Sequence, residues 1–215
     1  KLKGYTNGEN PNTDPVDVVL YGFGRIGRLV ARELIVQEGR GTQLRLRAIV
    51  ARGSDPMSLE KRASLLRVDS IHGSFPGTVE ADHDRQQLII NGRPVAIVSA
   101  DSPEDIDYEA LGIQNALLVD NTGAFRDKEA LSRHLASKGI AKVLLTAPGK
   151  GVPNVVFGVN HMGEHQNEAI QSAASCTTNA ITPVLKVIQD QFGIVQGHIE
   201  TIHAYTNDQN LVDNM

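Results

Sequence analysis

Residues 22–27 read Gly22-Phe23-Gly24-Arg25-Ile26-Gly27, directly after the short β-type run Val16–Tyr21 and before a stretch of helical periodicity. Glycines between a strand and a helix permit a tight turn and bring the backbone close to a pyrophosphate. The amides of the helix start then point at the phosphates. This stretch therefore predicts a dinucleotide-binding loop that uses Gly22, Gly24, Arg25, Ile26 and Gly27. A structural turn without a cofactor is the alternative interpretation.

Beyond this loop, β-type and helical runs alternate along the chain. The predicted strands are Val16–Tyr21, Leu44–Val50, a hairpin in 77–99 that turns at Asn91-Gly92, Ala116–Asp120, 142–146, 155–159 and 198–204. The predicted helices are 26–35, 57–66, 127–138 and one that starts at Cys176 and stops at Gly193. This alternation predicts an α/β fold with a doubly wound, mostly parallel sheet of the Rossmann type. The start of an α+β catalytic domain follows it.

The pattern divides the chain into three parts. Residues 1–15 are rich in Gly, Asn, Thr and Pro and are predicted to be an arm or linker. Residues 16–174 form the predicted dinucleotide-binding domain. Residues 175–215 form the beginning of a catalytic domain, which we expect to be incomplete.

Composition narrows the function classes. The 215 residues are 40% hydrophobic and 21% charged, with a net charge of −4, so no basic surface for nucleic acid or anionic membrane is expected. No apolar run approaches the roughly 18 residues of a membrane span, and no secretory leader is recognised. A single cysteine excludes an internal disulfide and favours a reducing compartment, the cytoplasm. No metal site is predicted.

The end of the second strand bears on cofactor choice. NAD-specific units usually place Asp or Glu there, on the ribose hydroxyls. Here the chain continues Ala51-Arg52-Gly53-Ser54, with no acid before Asp55. Arg52 and Ser54 are suited to a 2′-phosphate, because a guanidinium forks onto phosphate oxygens. Arg52 is equally interpretable as a solvated loop residue. NAD and NADP both stay open.

Cys176 lies at a predicted helix start, in Ser175-Cys176-Thr177-Thr178-Asn179. Ser and Thr cap such a start, and its amides favour a thiolate over a thiol. His203 follows 27 residues later, at the end of a predicted strand. A helix and a return strand can bring the two together as nucleophile and base. The structural alternatives are an inert buried thiol and a hydrogen-bonded strand histidine.

Seven motifs in this order resemble phosphorylating glyceraldehyde-3-phosphate dehydrogenase, from about Val16 to the last residue. They are 23–27 (Phe-Gly-Arg-Ile-Gly), 69–73 (Asp-Ser-Ile-His-Gly), 121–123 (Asn-Thr-Gly), 146–148 (Thr-Ala-Pro), 158–161 (Gly-Val-Asn-His), 175–179 (Ser-Cys-Thr-Thr-Asn) and 203–206 (His-Ala-Tyr-Thr). The resemblance implies oxidation and phosphorylation of glyceraldehyde 3-phosphate to 1,3-bisphosphoglycerate. NAD or NADP is reduced, through a cysteine thiohemiacetal and thioester.

The resemblance also assigns roles to individual residues. Cys176 is the nucleophile and His203 the base, and Arg25 and Ile26 lie along the pyrophosphate. Thr122 and Gly123 lie near the dinucleotide. The residues that line the anion pockets for substrate and inorganic phosphate are Ser175, Thr177 and Thr206. A cytoplasmic homotetramer is implied, in either the glycolytic or the gluconeogenic direction.

Several positions depart from the family pattern. Ala180 replaces a usual second cysteine, and Gly149 replaces a frequent serine beside the cofactor. Family members are longer, so we expect this sequence to be the N-terminal part of one. The alternatives are an erythrose-4-phosphate dehydrogenase and a truncated nucleotide-binding module without turnover.

Overall fold

The computed structural model describes residues 15–37, 44–51 and 56–202. Its strands are β1 (Val16–Tyr21), β2 (Leu44–Val50), β3 (Val68–Asp69), β4 (Gly73–Ser74), β5 (Val79–Asp82), β6 (Gln87–Ile90), β7 (Arg93–Val98), β8 (Ala116–Asp120), β9 (Ile140–Leu145) and β10 (Ile170–Ser172). Its helices are α1 (Arg25–Gln37), α2 (Pro56–Arg67), α3 (Lys128–Leu135) and α4 (Cys176–Phe192), with three short 3₁₀ turns.

Eight strands form one sheet in the order β10-β9-β8-β1-β2-β7-β6-β5. The six strands from β10 to β7 are parallel, and β6 and β5 extend the sheet as antiparallel strands. The chain first adds β2 and the β5–β7 strands on one side of β1, and then adds β8, β9 and β10 on the other side. The strand order therefore reverses between β1 and β8. The predicted doubly wound, mostly parallel sheet is confirmed.

Side chains of β1 alternate between two buried layers. Val18 and Leu20 pack in one cluster with residues of α1 and α2, whereas Val19 and Tyr21 pack in another with Leu131 of α3. Both faces of the sheet are therefore covered by helices, as expected for strands that are apolar on both sides.

Several local predictions are confirmed by the structure. The bounds of Val16–Tyr21, Leu44–Val50 and Ala116–Asp120 agree residue for residue. Asn91 and Gly92 both have positive φ, +48° and +78°, and join β6 to β7 as the predicted hairpin turn. A third strand, β5, precedes this hairpin and was not separated from it by the sequence pattern.

Two strand predictions are wrong. Residues 155–159 contain no strand; a turn spans residues 157–160, where the Asn160 side-chain oxygen accepts a hydrogen bond from the Val156 amide and Gly158 has φ +80°. The last strand of the sheet is instead Ile170–Ser172. Residues 198–202 are exposed and have no regular structure, because no described strand pairs with them. Residues 203 and 204 lie outside the described part.

Helix α4 is amphipathic, as predicted, but its apolar side is uncovered. Val184, Val187 and Phe192 are 53%, 63% and 85% exposed, and no residue of the helix is buried. We call the exposed side chains Val184, Val187, Ile188 and Phe192 the α4 surface. Among the described helices, none combines the length and apolar character that crossing a membrane needs.

Candidate active site

The glycine loop lies at the carboxyl edge of the sheet, at the point where the strand order reverses. Gly22 has φ +94°, and its amide donates to the Val50 carbonyl at 2.9 Å. A Cβ on Gly22 would lie 2.8 Å from Cγ2 of Thr122, and one on Gly27 would lie 2.2 Å from the Gly22 carbonyl oxygen. Both positions therefore require glycine. Helix α1 begins at Arg25, within the loop.

An open pocket of about 720 Å³ lies beside this loop. Its lining comes from the loop, the ends of β2 and β7, one face of α2 and the segment after β8. The lining residues are Tyr21, Gly22, Phe23, Gly24, Val50, Ala51, Ser58, Lys61, Arg62, Ala100, Asp101, Thr122, Ala124 and Phe125. A pocket at the strand reversal of a doubly wound sheet is the usual place for a dinucleotide.

Three of the predicted cofactor residues line the pocket, namely Gly22, Gly24 and Thr122. Ile26 and Gly27 belong to the loop and Gly123 follows Thr122, but none of the three lines the pocket itself. Arg52 lies outside the described residues.

Arg25 turns toward the β3–β4 hairpin. Its Nε lies 3.5 Å from Oδ2 of Asp69, and its Nη2 donates to the Ser70 hydroxyl at 3.3 Å. Burial alone raises the pKa of Asp69. The hydrogen bonds from the His72 amide and ring and from the Ile71 amide, together with the Arg25 charge, outweigh burial and hold that pKa well below its usual range. Asp69 thus stays ionised and holds Arg25 at the start of α1.

Thr122 is fixed by a buried pair behind the pocket. Its amide and its hydroxyl both donate to Oδ1 of Asp120 at 2.7 Å. The other Asp120 oxygen lies 2.9 Å from Nε2 of His134, and both side chains are fully buried. The His134 ring packs edge-on against Tyr21 and Phe125, two pocket residues, with ring centroids 4.6 and 4.9 Å away. Helix α3 thereby supports the pocket wall.

Cys176 is the first residue of α4 and is exposed. The Ser175 hydroxyl accepts a hydrogen bond from the Thr178 amide at 2.9 Å, which confirms the predicted cap. The Asn179 side chain donates to the carbonyls of Ala173 and Ser175 at 2.7 and 2.9 Å. Much of this motif therefore builds the helix start, and the thiol is presented by it.

The turn into α4 is tightly held. Ala174 has φ +58°, and its amide donates to the Ser172 hydroxyl at 2.9 Å. That hydroxyl in turn donates to the Ala147 carbonyl at 2.6 Å. The loops after β9 and β10 are joined in this way, and the thiol leaves the same carboxyl edge as the glycine loop.

Cys176 does not line the pocket, nor do Ser175 and Thr177. Strand β10 is the third strand from β1, so the cysteine segment lies about 14 Å along the edge from the glycine loop. His203 and Thr206 lie outside the described residues. Their meeting with Cys176 stays a prediction.

Comparison with known proteins agrees with this architecture. The family profile described as "Glyceraldehyde 3-phosphate dehydrogenase, NAD binding domain" matches residues 16–128. The profile of the corresponding C-terminal domain matches residues 175–215. The chain belongs to the glyceraldehyde-3-phosphate dehydrogenase family.

Individual family members are also similar. A "Glyceraldehyde-3-phosphate dehydrogenase-like protein" of Pseudomonas aeruginosa is 55% identical over 215 residues, which are 100% of this chain and 46% of the relative. The glyceraldehyde-3-phosphate dehydrogenases of Zymomonas mobilis and Thermotoga maritima are 38% and 39% identical, over 92% and 91% of this chain and 56% of each relative. The chain spans about half the length of these relatives and corresponds to their N-terminal portion.

Within this family framework, Gly149 has a local explanation. A Cβ there would lie 2.3 Å from Cγ2 of Val152 and 3.1 Å from Cβ of Ser172. Gly149 also exchanges two hydrogen bonds with the Asn154 side chain. The serine frequent in the family would require Val152 or the loop to shift.

Sequence reasoning missed the residues behind and beside the pocket. Asp120 was recognisable as a polar residue that ends an apolar strand, and His134 as a polar residue beside Leu131 on an apolar helix face. Ser58, Lys61 and Arg62 follow helical spacing, but only the packing of α2 against β5 and β6 directs them to the pocket. No sequence signal links them to the glycine loop.

Proposed function

We propose that this chain is the nucleotide-binding and nucleophile-bearing part of a phosphorylating glyceraldehyde-3-phosphate dehydrogenase. The observation that carries the proposal is an exposed cysteine at the capped start of α4, on the sheet edge that also holds a dinucleotide-type pocket. Residues 16–174 would bind the cofactor, and residues 175–215 would begin the catalytic domain.

The pocket is suited to a nicotinamide dinucleotide. The required glycines at 22 and 27 keep the loop close to the helix start, whose amides attract phosphate. Lys61 and Arg62 supply positive charge in the lining. When bound, the cofactor accepts a hydride from the substrate carbon.

The proposed reaction proceeds through covalent intermediates on the Cys176 sulfur. The thiolate forms a bond to the aldehyde carbon, and the carbonyl oxygen takes a proton to give a thiohemiacetal. His203 is proposed to remove that proton as hydride leaves the carbon, which produces a thioester. A phosphate oxygen then bonds to the thioester carbon, the C–S bond breaks, and 1,3-bisphosphoglycerate leaves with the thiolate restored. Ser175, Thr177 and Thr206 are proposed to line the two anion sites.

The test is NAD(P)H formation with glyceraldehyde 3-phosphate, with and without inorganic phosphate, for a full-length enzyme that contains this chain and for its Cys176→Ser variant. We expect activity that needs phosphate and is lost in the variant. Activity with erythrose 4-phosphate that phosphate does not stimulate would identify the alternative enzyme. The cytoplasmic homotetramer is proposed on family resemblance, and sedimentation of the active protein tests the assembly.

A nucleotide-binding module without turnover is the second candidate. The described lining of the pocket includes the glycine loop and the cations of α2, whereas Cys176 does not line it. Stoichiometric alkylation of Cys176 by iodoacetamide at pH 7 within minutes supports the enzyme. Nucleotide binding together with an unreactive thiol supports the module.

A further inference from the structure

Helix α2 directs three polar side chains into the dinucleotide-type pocket. Ser58, Lys61 and Arg62 have i, i+3, i+4 spacing and therefore share one helix face. Lys61 is exposed, and Arg62 is buried with its Nη1 donating to the Ser58 hydroxyl at 2.6 Å. The pocket thus contains two adjacent cations on a rigid element.

These cations share the pocket with the end of β2. Val50 and Ala51 line the pocket at this strand end, and both are apolar. In doubly wound sheets, the ribose 2′-hydroxyl of the adenosine lies near this strand end. A carboxylate there accepts from the hydroxyl, whereas a cation accommodates a 2′-phosphate.

Among the lining residues that the structure describes, the remaining charged one is Asp101, which follows β7 and is exposed to water. Solvent screens its repulsion of a bound anion. Burial lowers the pKa of the Arg62 guanidinium, because the charged form loses hydration. A bound anion would pair with the Arg62 guanidinium and offset the hydration that it loses on burial.

We propose that Lys61 and Arg62 form the subsite for the 2′-phosphate of an adenosine nucleotide, so that the chain prefers NADP to NAD. The inference rests on the proposed function for its biological meaning. The subsite itself is formed by described residues and is testable without turnover.

The experiment is isothermal titration of the 215-residue chain with adenosine 2′,5′-bisphosphate, its 3′,5′ isomer and AMP. The isomers carry the same charge and differ only in where the second phosphate sits. A charge-assisted contact predicts that the 2′,5′ isomer binds about tenfold more tightly than the other two. In Lys61→Gln this preference should fall to within about threefold, while AMP affinity is retained.

Lys138→Gln is the matched control, since it removes the same charge from an exposed lysine that does not line the pocket. It should keep the full preference. Arg62→Lys keeps the charge but loses the guanidinium fork, and it should weaken the preference while preserving the fold by circular dichroism. Equal affinity for the three nucleotides, or for the two isomers, overturns the inference. A full preference for the 2′,5′ isomer in Lys61→Gln also overturns the inference. A 2′-phosphate preference in the chain, without glyceraldehyde 3-phosphate oxidation by a full-length enzyme that contains it, would leave the subsite standing and refute the proposed function.

Discussion

The carboxylate of Asp120 connects the pocket to the protein interior. One of its oxygens receives both polar groups of Thr122, and the other faces His134. Its backbone carbonyl also accepts from the Thr146 amide and hydroxyl. A single residue at the end of β8 therefore sets the positions of two loops at the carboxyl edge.

Replacing His134 by Phe should test how strongly this pair holds. The ring and its packing against Tyr21 are kept, while the Asp120 carboxylate loses a buried partner. We expect the free energy of unfolding to fall by about 3 kcal/mol, measured in urea. The double variant Asp120→Asn/His134→Phe should lose less than the sum of the two single variants. A loss below about 1 kcal/mol in His134→Phe would contradict the structural role.

Asp69 should contribute a pH-dependent part of the stability. Its folded-state pKa lies below that of the unfolded chain, so its stabilisation is complete above the ordinary aspartate pKa of about 4. Below that pH the unfolded chain takes up the proton first, and the stabilisation is lost progressively as the pH falls toward the folded-state pKa. In Asp69→Asn the free energy of unfolding should depend less on pH between pH 5 and 2, and it should be lower by about 2 kcal/mol at pH 7. Asp84→Asn, at an exposed position in the β5–β6 turn, is the control and should keep the pH dependence of the unmodified chain.

At the level of elements, the start of α4 links stability to thiol chemistry. Ser175→Ala removes the acceptor of the Thr178 amide and should lower the free energy of unfolding by about 1 kcal/mol. Because the first turn then frays, its amides favour the thiolate less, and alkylation of Cys176 at pH 7 should slow severalfold. Ser175→Thr retains an acceptor and serves as the control. An unchanged alkylation rate in Ser175→Ala would separate the cap from the reactivity.

Elements with a strong local signal were predictable from sequence. The first strand is a five-residue buried run bounded by glycine, and α4 carries a serine cap and a glycine stop. The turn at 157–160 was not predictable, since Val155, Val156 and Val159 suggest a strand, while the Asn160 side chain and Gly158 determine the backbone path. Strand β10 has three residues, too few for any periodicity, and is defined by its pairing with β9.

The same distinction holds for the site. Glycines 22 and 27 were predictable because their requirement is local, a positive φ or a close carbonyl contact. Lys61 and Arg62 were not, because their place in the pocket arises from a helix that packs against distant strands. The glycine loop is therefore set by local sequence, whereas the cations in the pocket lining are brought there by tertiary packing.

At the level of the whole molecule, the α4 surface is an exposed apolar face. Exposed faces of this kind associate in water. We expect the 215-residue chain to self-associate in a concentration-dependent way by sedimentation velocity. Val187→Lys should shift the distribution toward monomer, whereas Gln189→Lys, which adds the same charge outside this surface, should not. Equal behaviour of the two variants would place the contact elsewhere.

Gly149 and Val152 constrain each other's evolution. A side chain at position 149 would place its Cβ 2.3 Å from Cγ2 of Val152, so that valine or the loop must shift to admit serine. Gly149→Ser alone should therefore be depleted in a single-site mutational scan, and Val152→Ala should relieve the cost. We expect that grafting the common serine into this chain succeeds best when residue 152 is shortened at the same time.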